Sequence, residues 1–465
     1  MSANDIHGDP LPKGATARLG TRRFRGGAHF TGGLLRWFGP EHLFACGRTE
    51  IRVLDLRGRC VRQHPIDELH GIAASSNGQT LAVITGSFPG RLELWDANTF
   101  TVQETIAKDL KHPLSARFSA DDSQLAVRCY EGWRHFHLRG GEPDTTWAPE
   151  DDGDEISPDG RHIARILQRS GYLEAFEVTD AQTQDRLPCP DGAEAGIYTV
   201  AFCNDGSVFT HSVDWIAAVW APDGRLRWKT DHTARSASYD ATADVVLTSD
   251  GYQSPITVLH PQTGEHLRTL SEMGLPQGDV PTLGGTLIKG IHGRPDTTRI
   301  VTAYGTVLAA GPDAIGGHHA DVRAGRVVNR SSSAHIYDLN APGLPRIGAY
   351  KTLRTSSAAL SADGSILYTG GQTGTLTARD AVSGKKLWKK KICSERLGAA
   401  RVSPDGKRLA LGSRNGTVRV VSLDTRKTIH AFEGHEGRVL SVAFSNDGAR
   451  LVSGSTDTTA LIWAL

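Results

Sequence analysis

The sequence has no Cys-x-x-Cys pair: its six cysteines, Cys46, Cys60, Cys129, Cys189, Cys203 and Cys393, are scattered along the chain. That spacing excludes a zinc knuckle and a dithiol redox motif, and it fits a reducing compartment. Net charge is missing as well, since 52 lysines and arginines stand against 51 aspartates and glutamates. Such a balance argues against nucleic acid as the partner, so an electrostatic partner has to be sought in a local patch. No run approaches eighteen apolar residues, and Met1 to Pro10 has no basic segment followed by an apolar core. Neither a membrane span nor a leader peptide is expected, and the protein is read as soluble and cytoplasmic. Also absent are a Gly-x-Ser-x-Gly nucleophile elbow, a Gly-rich phosphate loop and a His-Glu-x-x-His helix, so no cofactor is implied.

What is present is glycine, 52 residues of it, and a great many short alternating segments between polar turns. The clearest stretch is the last. Gly434-His435 opens it, Arg438 to Phe444 alternates like a half-buried strand, and Ser445-Asn-Asp-Gly448 makes a turn. Two further strand-like runs follow, Arg450 to Gly454 and Thr459 to Trp463. Three strands of this size cannot bury their own apolar faces, so the unit must stack on others like it.

With its Gly-His start, its Ser-Pro-Asp-Gly-like turn, the Asp of the next tight turn and the closing Trp463-Ala464, this unit resembles the WD40 repeat. The resemblance implies an all-β fold, a WD40-type β-propeller of four-stranded antiparallel blades. Counting the third residue of each turn tetrapeptide gives Gly39, Asn77, Asp121, Asp159, Asp205, Thr242, Asp296, Asp363, Asp405 and Asp447, about ten repeats. The last three markers are 42 residues apart, which matches the period of a propeller blade. A single ring of ten is expected, with fewer true blades or two smaller rings as the alternatives. The N-terminal strand, within residues 15–24, would complete the C-terminal blade and close the ring, which removes a free sheet edge. Residues 1–14 are expected to be a flexible tail, residues 15–465 the propeller, and residues 305–333 a long insertion in the seventh repeat.

The resemblance also implies a structural tetrad, complete in the last unit alone: His435, Ser453, Asp457 and Trp463. Histidine, serine and aspartate together would suit a hydrolase, but in WD40 repeats they form a buried hydrogen-bond chain. The fifth unit keeps Thr210, Asp214 and Trp220, and the second keeps Trp95-Asp96. His318, His319 and Asp321 are a weak metal-ligand set best read as a solvated loop, and His135 and His137 share one face of a strand. No metal site is expected.

Aligning the repeats places Arg354, Arg396 and Arg438 at the same point, just before the innermost strand, where WD40 folds expose a rim. Glu68 and Glu150 hold that point in the second and fourth units. An arginine arc opposite an acidic arc would suit a protein partner of complementary charge. The lysines at 385, 386, 389, 390 and 391 fall on an outermost strand, where lysine blunts an exposed edge. The expected function is a non-enzymatic protein–protein interaction scaffold with one or more protein partners, and neither nucleic acid nor membrane. The alternative is a propeller enzyme, a lactonase-like hydrolase with its site in the central channel. The opening Leu11-Pro-Lys-Gly-Ala-Thr-Ala-Arg-Leu-Gly-Thr21 is similar to that of bacterial modules attached to signalling or effector domains, which here would be a separate chain.

Overall fold

Alternating strands and polar turns are what the computed structural model of the protein contains, with no helix among the described residues. It describes residues 4–21, most of 34–138, 155–156, 161–167, 175–185, most of 196–270, the strands between 282 and 351, and 355–465. Eleven antiparallel sheets form among these residues, nine of four strands and two of three. They fall into two compact units, one made of Met1–Thr21 and Asp191–Leu465, the other of Arg22–Pro190.

The turn that the sequence repeats has a local cause. In the tetrapeptides starting at Ser361, Ser403 and Ser445, the serine hydroxyl donates to the aspartate two residues on. The same oxygen accepts the N–H of Ile366, Arg408 or Arg450 at 2.8, 2.9 and 2.9 Å. The glycine that follows each aspartate sits at φ of 69°, 71° and 68°, the left-handed region that costs an L side chain strain. Donation from these serines pushes Asp363 down to about 2 and holds Asp405 and Asp447 below the ordinary carboxylate value.

The first unit has seven four-stranded sheets, called I to VII here: residues 197–229, 236–270, 282–311, 320–351, 355–391, 397–432, and 439–464 with 15–19. Strands of consecutive sheets abut from I to VII, and Ile197–Phe202 of sheet I abuts Val439–Phe444 and Arg450–Ser455 of sheet VII. The fourth strand of sheet VII comes from the other end of the chain. Ala15–Leu19 pairs antiparallel with Ala460–Ala464, Ala17 opposite Ile462 and Leu19 opposite Ala460.

The core lies between sheets, because each sheet has two apolar faces to cover. Leu411 and Leu397 join Tyr368 and Leu376 between V and VI. Trp463, Val442 and Leu451 join Phe432 and Val420 between VI and VII. Ile462, Val452 and Leu19 join Ile197, Phe202 and Trp220 between VII and I. One device recurs at all three junctions. A methyl group added to Gly370, Gly412 or Gly454 would lie 2.8 Å from the Cβ of Leu397, the Cβ of Val439 or the Cγ2 of Ile197, the first residue of the next sheet. Sheet VII therefore meets sheet I as V meets VI and VI meets VII.

The second unit holds four sheets, within residues 34–65, 69–110, 113–137 and 155–180, the last two three-stranded. Ile51, Val53, Ile72, Leu81 and Trp95 fill the space between its first two sheets, and Ile84, Leu92, Leu125 and Val127 that between its second and third.

Four expectations change. In place of ten units in one ring, the described residues form eleven sheets, which fall into two units within residues 15–465. The stretch 305–333 is not an insertion: it contains the strands Val307–Gly311, Ala320–Arg323 and Arg326–Arg330, parts of sheets III and IV. Of the expected N-terminal tail, residues 4–14 are anchored at three points, although six of them are exposed. Leu11 is buried beside Phe432 and Trp463, Pro12 abuts Gly434, and Asp5 makes an ion pair with Arg18 in which both side chains are 2% exposed. Of the closing strand, Ala15–Leu19 is the paired part; residues 22–24 lie outside the described residues.

Candidate functional site

Arg396 and Arg438 stand where repeat alignment puts them, immediately before the innermost strands Leu397–Val402 and Val439–Phe444. Their carbonyls are fixed by the tight turn between the second and third strands of the same sheet. Arg414 N–H donates to the Arg396 carbonyl and Thr456 N–H to the Arg438 carbonyl, each at 2.9 Å. Thr456 returns a bond, its Oγ1 accepting the Arg438 N–H at 2.9 Å. Gly196 in sheet I and Glu68 in the second unit accept the corresponding bonds from Val213 and Gly86. These positions are thus structurally equivalent, and all lie on the loop side of their sheets.

Neighbouring sheets bring this loop side together. Gly416, at φ 84°, would push a methyl group into the carbonyls of His435 and Gly437, so the turn carrying Arg414 presses on the segment leading to Arg438. Arg414 is exposed, and Arg396 and Arg438 are half-buried. The repeat alignment passed over Arg414, because it belongs to the next turn; its signal is its backbone bond to Arg396. Arg419 pairs with Glu395 at 3.7 Å and bonds Ser413 Oγ at 3.0 Å, so that charge is partly compensated. Glu68 is exposed but belongs to the second unit, so the acidic and basic positions do not share one unit. Arg354, Glu150, His318 and His319 lie outside the described residues, and the side chain of Asp321 is not described. Half-buried His135 and His137 sit on the strand Gly132–His137. Among the described residues no group of three His, Cys, Asp or Glu side chains is arranged to hold a metal.

His435, Ser453, Asp457 and Trp463 are brought together in sheet VII. Trp463 Nε1 donates to Ser453 Oγ at 2.8 Å, His435 Nε2 lies 2.8 Å from the same oxygen, and His435 Nδ1 lies 2.9 Å from Asp457 Oδ2. A carboxylate only accepts, so Nδ1 carries the proton, Nε2 accepts, and the serine hydroxyl donates to it. Asp457 also accepts the Glu436 N–H and the hydroxyl and N–H of Thr459. Burial pushes the Asp457 carboxyl up, but His435 and Thr459 outweigh it and hold the group below the ordinary value. All four side chains are in the core, and Phe432 of sheet VI stacks on the Trp463 ring with centroids 4.8 Å apart. Ser453 Oγ already accepts from tryptophan and donates to histidine, and no substrate carbonyl can approach it. The chain is a tie, not a nucleophile with its base.

Sheet I has a fragment of this arrangement. Trp220 Nε1 donates to Thr210 Oγ1 at 2.8 Å, while Asp214 takes the hydroxyl of Ser212. His211 beside them is wholly buried; desolvation pushes it down to about 4, and it bonds the Ala234 carbonyl at 2.7 Å. In the second unit Trp95 Nε1 bonds Glu93, and Asp96 caps the turn at Asn98 and Thr99. Cysteine chemistry is quiet as well: burial raises the thiols of Cys129 and Cys393 and pushes Cys203 up to about 12, against thiolate formation.

The chain is thus an all-β protein built from blade-like antiparallel sheets, one of which carries a histidine–serine–tryptophan–aspartate tie. Residues 426–464, which hold the outer strand of sheet VI and the three C-terminal strands of sheet VII, match the family described as "WD domain, G-beta repeat". Among solved structures, one titled "Crystal structure of WD40 beta propeller domain of Doa1" is similar at 16% identity and a TM-score of 0.47, covering 59% of this chain and 94% of that one. Comparison with the curated proteins gives no match.

Proposed function

We propose that the protein is a non-enzymatic, cytoplasmic interaction scaffold: its first unit is a closed seven-bladed propeller whose arginine-bearing loop face holds a protein partner. The recurrence at Gly454 and Ile197 of the contact made at Gly370 and Gly412 carries the closure, and sheet VII borrowing its fourth strand from residues 15–19 supports it. A rigid ring presents its loops as a fixed surface, which suits binding without the ordering cost of a mobile site. Arg396, Arg414 and Arg438 give that surface its charge, and Arg354 extends the arc by the same spacing of 42 residues. The partner is a separate chain with a complementary acidic face.

Replacing Arg396 and Arg438 by Glu tests this. Partners retained by the wild-type protein from its native extract are expected to be lost with the double variant, while its melting temperature holds. An unchanged set of partners would remove the loop face from consideration. A stoichiometric metal in the purified protein, or turnover in an esterase and lactonase screen, would favour a hydrolase with its site in the channel instead.

A further inference from the structure

The balanced overall charge conceals a strongly basic sector. Between residues 346 and 427 there are seventeen lysines and arginines and five aspartates and glutamates, a net charge of +12 in a chain whose total is +1. The sector covers sheets V and VI with the strand before them. Its densest part is the strand Lys386–Lys391, the outermost of sheet V. Lys385, Lys386, Lys389 and Lys391 are exposed, Lys390 is half-buried, and Leu387 between them is 48% exposed.

Edge protection does not account for this strand. Among the described residues no outer strand of sheets I to VI pairs with a fifth strand, so each needs the same defence against pairing with another chain. Yet Val307–Gly311 and Thr428–Phe432 carry no charged residue at all, and Ile429 on the latter is 45% exposed. Leu226–Lys229 and Arg346–Lys351 carry two basic residues each, and Lys386–Lys391 carries four. Placing so many like charges side by side costs stability, and the cost is concentrated where protection requires it no more than elsewhere.

An outer antiparallel strand directs every second N–H and C=O away from its neighbour, and these groups are satisfied by an added strand. Side chains on such a strand repeat on each face at about 7 Å, the spacing at which an extended acidic peptide presents alternate carboxylates. A stacking platform for nucleic-acid bases is missing. Trp388 is half-buried against Tyr368, 6.0 Å between ring centroids, and the Arg426 guanidinium lies over it at 5.2 Å.

We propose that Lys386–Lys391 is a docking strand for an acidic, extended segment of a partner protein, which adds to sheet V as a fifth strand with its carboxylates on Lys386, Lys389 and Lys391, the lysines opposite Arg379, Thr377 and Thr375 and therefore on one face. The site is separate from the loop-face arginines and adds a second contact surface to the scaffold. Its failure is distinguishable from failure of the loop-face reading, because the Arg396→Glu, Arg438→Glu variant keeps these lysines.

The test uses the full chain and a fluorescein-labelled twelve-residue peptide of alternating Glu and Thr, followed by anisotropy. Binding is expected to weaken as salt rises, to fall roughly tenfold or more in the variant Lys386→Gln, Lys389→Gln, Lys391→Gln, and to persist in the double arginine variant. N-methylation of alternate peptide nitrogens is expected to weaken it by a similar factor, since strand addition uses those N–H groups. These lysines are exposed and sit opposite Arg379, Thr377 and Thr375, none of them a core residue, so an unchanged melting temperature accompanies the loss. The proposal is overturned by absence of peptide binding, by binding indifferent to the three lysines, or by full binding of the N-methylated peptide. It is equally overturned if a twelve-nucleotide oligothymidylate binds more tightly through the same lysines.

Discussion

Asp457 is the residue on which the last sheet's hydrogen bonds converge, and its depressed acidity ties stability to pH. A carboxyl group whose folded value lies below its unfolded value of 3.8 contributes stability above that pH and loses it as pH falls through the folded value. Asp457→Asn is therefore expected to destabilise the first unit by about 2 kcal/mol near neutrality. The gap between wild type and variant should shrink as pH drops below 3.8. Urea unfolding at several pH values measures this, and a gap constant across the range would show that the carboxylate's charge is not what holds the turn. The four tied residues were legible in the sequence because each has a distinctive side chain at a fixed distance from the turn. Arg414 was not, because nothing in residue type separates it from any exposed arginine until the backbone bond to Arg396 is seen.

At the scale of elements, the strand Ala15–Leu19 is the most consequential. It covers the edge of Ala460–Ala464, and Leu19 is fully buried between sheets VII and I. Leu19→Ala is expected to cost about 3 kcal/mol, against about 1 kcal/mol for the same truncation at half-buried Leu226 in the outer strand of sheet I. Equal shifts in thermal melting would contradict a closing role for the first strand. The elements also explain what the turn count missed. In sheets III and IV Leu283 pairs with Thr286 and Arg323 with Arg326, so only two residues of sequence separate the first two strands, and a Ser-x-Asp-Gly tetrapeptide has no place there. Asp296, counted as a marker, falls instead between Thr286–Lys289 and Thr298–Thr302. So short a separation erases the sequence signal while leaving the strands intact. The N-terminal residues read as tail because Gly, Pro and Asp dominate them. Their order comes from Asp5 meeting Arg18 and from Leu11 reaching the core, which are contacts of tertiary origin.

For the whole molecule, the second unit is an insertion between the first strand and sheet I. The first-unit residues that flank it in the sequence, Thr21 and Gly196, meet the same turn of sheet VII. Thr458 Oγ1 donates to the Thr21 carbonyl at 3.2 Å, and a methyl group on Gly196 would lie 2.8 Å from the Thr456 Cα. Replacing residues 22–190 by a short Gly-Ser linker is accordingly expected to leave a first unit that unfolds cooperatively in calorimetry. Collapse of that shortened protein would show the units to be one folding body. Sequence spacing could not reveal the division, because sheets of both units share one strand pattern and differ only in which neighbours they meet.

The pairing of Ala17 with Ile462 spans nearly the whole chain. During synthesis Ala15–Leu19 leaves the ribosome well over four hundred residues ahead of its partner Ala460–Ala464. At about 5–20 residues per second that interval is roughly 20 to 90 s. For all that time residues 15–19 carry unpaired backbone and an unburied Leu19, a state that invites pairing with foreign edges. The second unit, whose sheets pair locally, is free to fold in the meantime. A chain released before Ala460–Ala464 therefore has no strand to cover Ala15–Leu19, and Leu19 stays in water.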